Sequence, residues 1–229
     1  MPLKSVFAIA IFPVFFYLLT GCASTPQKGS LGEETRVRGS DRQGNAFLFD
    51  IKVTRNGKMN SARLDIYQNG DSLSLFARGY LGKGALKGLL TPDSIIVYFP
   101  LTGEYYTGKL ADLVSDSCRM GQNLEHLLAS LFNYLPDSVE LPSDISLQTL
   151  KDEKKSKQYH LESGGCRATM DLRYDYRDNR FLPESINFGL VDGSFHFAGE
   201  RRNFRLNIHI PEDKFEIYIP ETAARIYPR

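Results

Sequence analysis

From Phe47 to Ala77 apolar side chains recur at every second position, a period that commits this part of the chain to half-buried β-strands. Phe47, Phe49, Ile51 and Val53 alternate with Leu48, Asp50, Lys52 and Thr54 until Asn56-Gly57 marks a tight turn. Ala62, Leu64 and Ile66 repeat the pattern, Asn69-Gly70-Asp71 turns the chain again, and Leu73, Leu75 and Ala77 follow. Strands joined by turns this short make an antiparallel meander. Ile95 to Phe99 and Tyr105 to Thr107 read as two further strands.

The second half repeats the signal at Tyr159 to Leu161, Ala168 to Tyr176, Ser185 to Val191, Ser194 to Ala198, Phe204 to Ile210 and Phe215 to Ile219, and Lys151 to Lys157 reads as a solvated turn. Helical spacing is clear once, where Leu124, Leu127, Leu128, Leu131, Phe132 and Leu135 share one face and Pro136 ends it. About ten or eleven strands against one helix predict a mainly β (α+β) fold, a single large curved antiparallel sheet with a helical cover; a β-sandwich is the competitor. Gly79 to Leu90 is rich in both glycine and leucine and reads as a loop, with Leu86, Leu89 and Leu90 either facing a membrane or partner or tucked under the sheet edge as core.

Leu19-Thr20-Gly21-Cys22 decides the address. Lys4 supplies a cationic start, Val6 to Leu19 is apolar but short for a membrane span, and small residues lead into the cysteine. The order resembles the lipobox of bacterial lipoproteins, in which Cys22 is acylated and becomes the first residue; an ordinary secretory signal cut after Ala23 is the alternative. Residues 1–21 are then a signal peptide, the small polar stretch 22–34 a lipidated tether, and 35–229 the folded domain. Ala23 after the cysteine favours the outer membrane, with the domain in the periplasm.

Removing Lys4 brings the formal charge from +1 to about zero, and clustered Lys and Arg are missing, which argues against nucleic-acid binding. Cys118 and Cys166 remain in an oxidising compartment, either paired as a disulfide or as two buried thiols. No CxxC stands in the chain and no histidine lies at ligand spacing from a cysteine, so neither a metal nor another cofactor is expected. Nucleophile elbows, HExxH helices, P-loops and GxGxxG fingerprints are missing as well, so no catalytic residue is assigned and no enzyme is expected.

The lipobox, the meander, Leu89-Leu90-Thr91-Pro92-Asp93-Ser94-Ile95-Ile96-Val97-Tyr98 before Thr102-Gly103-Glu104-Tyr105-Tyr106, the Leu-rich helix and Phe181-Leu182-Pro183-Glu184-Ser185-Ile186 together resemble the LolA/LolB-like superfamily over roughly residues 35 to 220. The resemblance implies an unclosed antiparallel half-barrel whose concave apolar side is plugged by helices and receives acyl chains. On that reading Phe47, Phe49, Ile51, Leu64, Ile66, Leu73 and Leu75 from the sheet and Leu127, Leu131 and Phe132 from the helix line a lipid site. A structural or assembly lipoprotein that binds an envelope protein without any cavity is the second reading.

Overall fold

The computed structural model describes residues 43–79, 82–109, 128–141, 143–163 and 165–227. The strands are β1 (Gln43–Arg55), β2 (Lys58–Asn69), β3 (Ser72–Arg78), β4 (Gly84–Leu90), β5 (Ile95–Phe99), β6 (Glu104–Gly108), β7 (Ile145–Glu153), β8 (Ser156–Ser163), β9 (Ala168–Arg177), β10 (Arg180–Leu190), β11 (Phe195–His209) and the two-residue β12 (Ala224–Arg225). They form one 12-stranded sheet in the order β12-β6-β5-β4-β3-β2-β1-β11-β10-β9-β8-β7. Two meanders therefore meet back to back. β1 to β6 step outward from the centre, β7 to β11 step inward, and the antiparallel pair β1 with β11 joins them from Gln43 opposite His209 to Arg55 opposite Phe195. Every pairing is antiparallel except β12 with β6. The end strands β7 and β12 lie at opposite ends of the order and do not pair with each other, so the sheet is an open half-barrel.

Local chemistry sets these hairpins. Asn56 and Gly57 both have positive φ, as do Asp178 and Asn179, which is the pair of left-handed residues that a two-residue turn between twisted strands requires. Across the sheet the register aligns apolar rows on one face: Phe47 lies opposite Ile66, Ile66 opposite Leu75, Leu75 opposite Gly88, Gly88 opposite Val97 and Val97 opposite Tyr106. The other meander continues the face, with Ile186 opposite Leu172 and Leu172 opposite Tyr159. Between these rows the opposite face carries ion pairs, among them Asp50 with Arg63 and Arg202, and Arg173 with Glu184 and Glu200.

Several elements differ from the sequence-based expectation. Gly84–Leu90 is a strand in the body of the sheet rather than a loop, and its leucines are buried, Leu86 at 6%, Leu89 at 2% and Leu90 at 2% exposed. Leu86 and Leu90 stand opposite Ala77 and Leu73, while Leu89 stands opposite Ser74 on the other face, so β4 is covered on both sides and loses its alternation. β7 runs through Lys151 as an edge strand, leaving only Lys154-Lys155 as the turn. β11 is one strand where two were expected.

The chain after β11 forms a strap across the polar side of the sheet. Phe215 to Ile219 is not a regular strand: a short 3-10 turn at Glu212–Phe215 is followed by a single bridge residue, Ile217. The Ser74 hydroxyl donates to the Lys214 carbonyl, and the Lys214 ammonium sits 5.9 Å from the ring centroids of both Tyr67 and Phe76. Beyond it β12 closes the β6 edge.

Candidate functional site

The concave apolar face carries the hydrophobic core of the described residues, and the segment 128–141 packs against it as a cover. Its helical part is short. Residues 128–130 are helical, a turn follows at 131–133, Pro136–Ser138 is a 3-10 turn, and Leu124 and Leu127 lie outside the described residues. The helix therefore stops before Leu135, because the Asn133 and Tyr134 amides both return to the Ser130 carbonyl and tighten the chain into a turn.

That turn drives Phe132 into the sheet. Its ring meets Phe47 at 5.4 Å, tilted by 51°, and Phe49 at 6.3 Å, edge to face at 86°. Of the residues expected to line the site, Phe47, Phe49, Ile51, Ile66, Leu73, Leu131 and Phe132 are buried in one cluster, and Leu64 and Leu75 are half-buried against it. The structure thus brings these sheet and cover residues together.

Sequence periodicity gave no hint of the polar contacts that hold the cover. The Tyr174 hydroxyl donates to the Leu131 carbonyl at 3.1 Å inside the core, and the Tyr159 hydroxyl donates to Asp137 Oδ2 at 2.9 Å. The two rings stand edge to face, 6.0 Å apart. Burial pushes both phenols well above their ordinary range, with the Asp137 carboxylate adding to the shift, so both stay protonated and remain donors. Asn133 Nδ2 adds a bond to the Gly70 carbonyl at 3.3 Å. Two tyrosines in neighbouring strands, Tyr159 in β8 and Tyr174 in β9, are the sequence trace of this arrangement.

A second polar group occupies the β1–β11 junction. β11 carries an extra residue opposite Asn45, and Asn207 there has positive φ. Asn45 Oδ1 accepts from the Asn207 amide at 3.3 Å and from Arg180 Nη2 at 3.0 Å, while Asn45 Nδ2 donates to Gln68 Oε1 at 3.1 Å. Nearby, Arg201 is 7% exposed, pairs with Asp175 at 2.6 Å, donates to the Pro183 carbonyl at 2.7 Å and lies over the Phe204 ring.

Cys166 is disulfide-bonded, and its amide donates to the Ser163 hydroxyl at 3.3 Å. Cys22 and Cys118 both lie outside the described residues. Among the described residues no group of His, Cys, Asp and Glu is placed to hold a metal ion, and no helix is long and apolar enough to cross a membrane.

Fold and site together define an open antiparallel sheet with a covered apolar concavity. No family model matches the chain, and no curated protein matches it in sequence. Among solved structures it is similar to a LolA superfamily protein from Nitrosomonas europaea (10% identity, 76% of this chain and 90% of that chain, TM-score 0.35). It is also similar to a domain from Vibrio parahaemolyticus assigned to outer membrane lipoprotein sorting (9% identity, 76% and 89%, TM-score 0.41). A third is Pseudomonas aeruginosa MucB in its complex with MucA (13% identity, 76% and 56%, TM-score 0.39). At these identities and TM-scores the likenesses assign no ligand or partner to this chain.

Proposed function

We propose that this chain is an envelope lipoprotein, anchored in the outer membrane through acylated Cys22 and the tether 22–34, that binds an acyl chain of a lipid or lipoprotein between the concave face and its cover. The observation that carries the reading is the way the cover is attached. A short segment with one aromatic wedge, Phe132, is held by the bonds from Tyr174, Tyr159 and Asn133, while Leu64, Leu75, Leu128 and Leu135 around it remain only half-buried. Lifting the cover breaks these bonds and uncovers Ala129, Leu131 and Phe132, and an acyl chain lying in their place restores the apolar contact. Roughly eight methylenes at about 0.8 kcal/mol each offer roughly 6 kcal/mol on burial. That is comparable to the cost of lifting the cover, about 1 kcal/mol for each hydrogen bond and about 3 to 5 kcal/mol for the Phe132 ring. The role is holding or transferring lipid, with no catalytic step.

The ring packing of Phe132 on Phe47 and Phe49 favours a second reading, a structural lipoprotein whose cover never leaves the sheet and whose outer surface binds an envelope protein. Mass spectrometry of organic extracts from the unlipidated protein separates the two. Stoichiometric co-purifying lipid supports the first, and clean extracts together with no uptake of added lipid support the second.

A further inference from the structure

We propose that Arg180 is the headgroup site of the lipid-binding concavity, selecting single-chain amphiphiles with an anionic head, carboxylate or phosphate, over neutral ones; this rests on the lipid-binding reading above. Two arginines are held at this end of the sheet, and they differ in one respect. Arg201 is matched by the Asp175 carboxylate. Arg180 is half-buried, but its described side-chain partner is the neutral amide oxygen of Asn45, and no carboxylate among the described residues pairs with it. A half-buried cation with no acid beside it among the described residues is an arrangement that an incoming anion completes.

Its placement suits a head whose tail lies in the concavity. Arg180 is two residues before Leu182, which is fully buried in the apolar cluster, and its guanidinium reaches across to Asn45 Oδ1. Asn45 alternates with Phe47, Phe49 and Ile51, and Gln68 with Ile66 and Leu64, so the amides that orient Arg180 belong to the face that carries the apolar rows. Gln68 is 1% exposed and reaches the Gly70 carbonyl at 3.5 Å, the same carbonyl that accepts from Asn133 of the cover. The polar chain Arg180–Asn45–Gln68–Gly70–Asn133 thus runs from β10 to the turn of the cover, where a ligand entering beneath it would leave its head.

The anchoring also fixes geometry. Asn45 Oδ1 holds one nitrogen of the guanidinium, and among the described residues no other side chain holds the rest, which can form the paired contacts that a carboxylate or phosphate accepts. A neutral glycerol head gains no such charge-assisted bonds.

The test uses the chain from residue 22 with Cys22→Ser, titrated with oleate, oleoyl lysophosphatidate and monooleoylglycerol by calorimetry or probe displacement. The wild-type sequence binds one or both anions about tenfold more tightly than the neutral lipid, the ratio expected for charge-assisted hydrogen bonds, and Arg180→Gln removes that ratio. Which anion gains shows whether carboxylate or phosphate is the natural head. Asn45→Asp supplies the missing acid in place and removes the anion preference without touching Arg180, and a native-like urea midpoint checks that each variant is folded. Equal affinity for all three lipids in the wild type, or an anion preference that survives Arg180→Gln, overturns the assignment and leaves lipid binding standing. Failure of all three lipids to bind overturns both.

Discussion

The hydroxyl of Tyr174 donates to the carbonyl of Leu131 at 3.1 Å, joining the floor of the concave face to its cover at a point closed to solvent. Tyr174→Phe keeps the ring and removes only the donor, so the Leu131 carbonyl is left buried without that partner. We expect a loss of about 1 to 3 kcal/mol, read as a lower urea midpoint at an unchanged m-value. Amide exchange at Phe132 to Tyr134 should speed up more than exchange in β1, which a uniform loss of stability would not produce.

Phe132→Ala tests the wedge. Removing a ring packed on Phe47 and Phe49 should cost about 3 to 5 kcal/mol in the empty protein. If an acyl chain takes that space, added oleate recovers part of the loss in a thermal melt. A structural core would gain nothing from it.

Acid stability depends on Asp175. Burial pushes its carboxyl up, but hydrogen bonds and charge from Arg177 and Arg201 outweigh burial and hold it below the ordinary value of 3.8. A lowered folded pKa contributes stability that is present above the unfolded value and is lost as pH falls through the folded one. Asp175→Asn should therefore destabilise at neutral pH and bring the two proteins closer in stability below pH 3.8, checked by urea titrations across that range.

Gly44 marks a close approach. A Cβ there would meet the Gln68 carbonyl oxygen at 2.2 Å and Ile210 Cδ1 at 2.5 Å, and the first of these is backbone that cannot swing away. Gly44→Ala should cost about 1 to 3 kcal/mol through overpacking, measured as a drop in melting temperature.

How much of this was legible in the sequence depends on what each strand faces. β1 was plain, because Phe47, Phe49, Ile51 and Val53 are buried while Asp50 and Lys52 meet water. β4 was not, since cover on both faces removes the alternation that identifies a strand. β7 escaped for the opposite reason: at the sheet edge it is exposed along nearly its whole length and offers little apolar signal. The polar run Glu200, Arg201, Arg202 and Asn203 looks like a break in β11, but a register shift between Leu48 and Phe49 lets the strand pass through it. Apolar members of the candidate site could be read from period alone. The tyrosine donors and Arg180 could not, because their partners are a backbone carbonyl and side chains distant in sequence.

The cysteines allow a chemical test. We propose that Cys118 is the partner of disulfide-bonded Cys166 and that Cys22 carries the lipid. Alkylation of denatured, unreduced Cys22→Ser protein made in the periplasm should label no thiol, and reduction should expose two. Labelling before reduction would contradict the pairing.

The central claim, that an acyl chain lies between the sheet and its cover, is tested most directly by displacement of a fluorescent fatty acid from the soluble Cys22→Ser chain, compared with a Leu131→Asp variant shown to be folded. The wild-type sequence should bind the probe saturably, and unlabelled oleate should displace it. The variant, with a carboxylate placed in the apolar contact, should bind far more weakly. No saturable binding by the wild type, or equal binding by both proteins, would contradict the account and leave the structural-lipoprotein reading in its place.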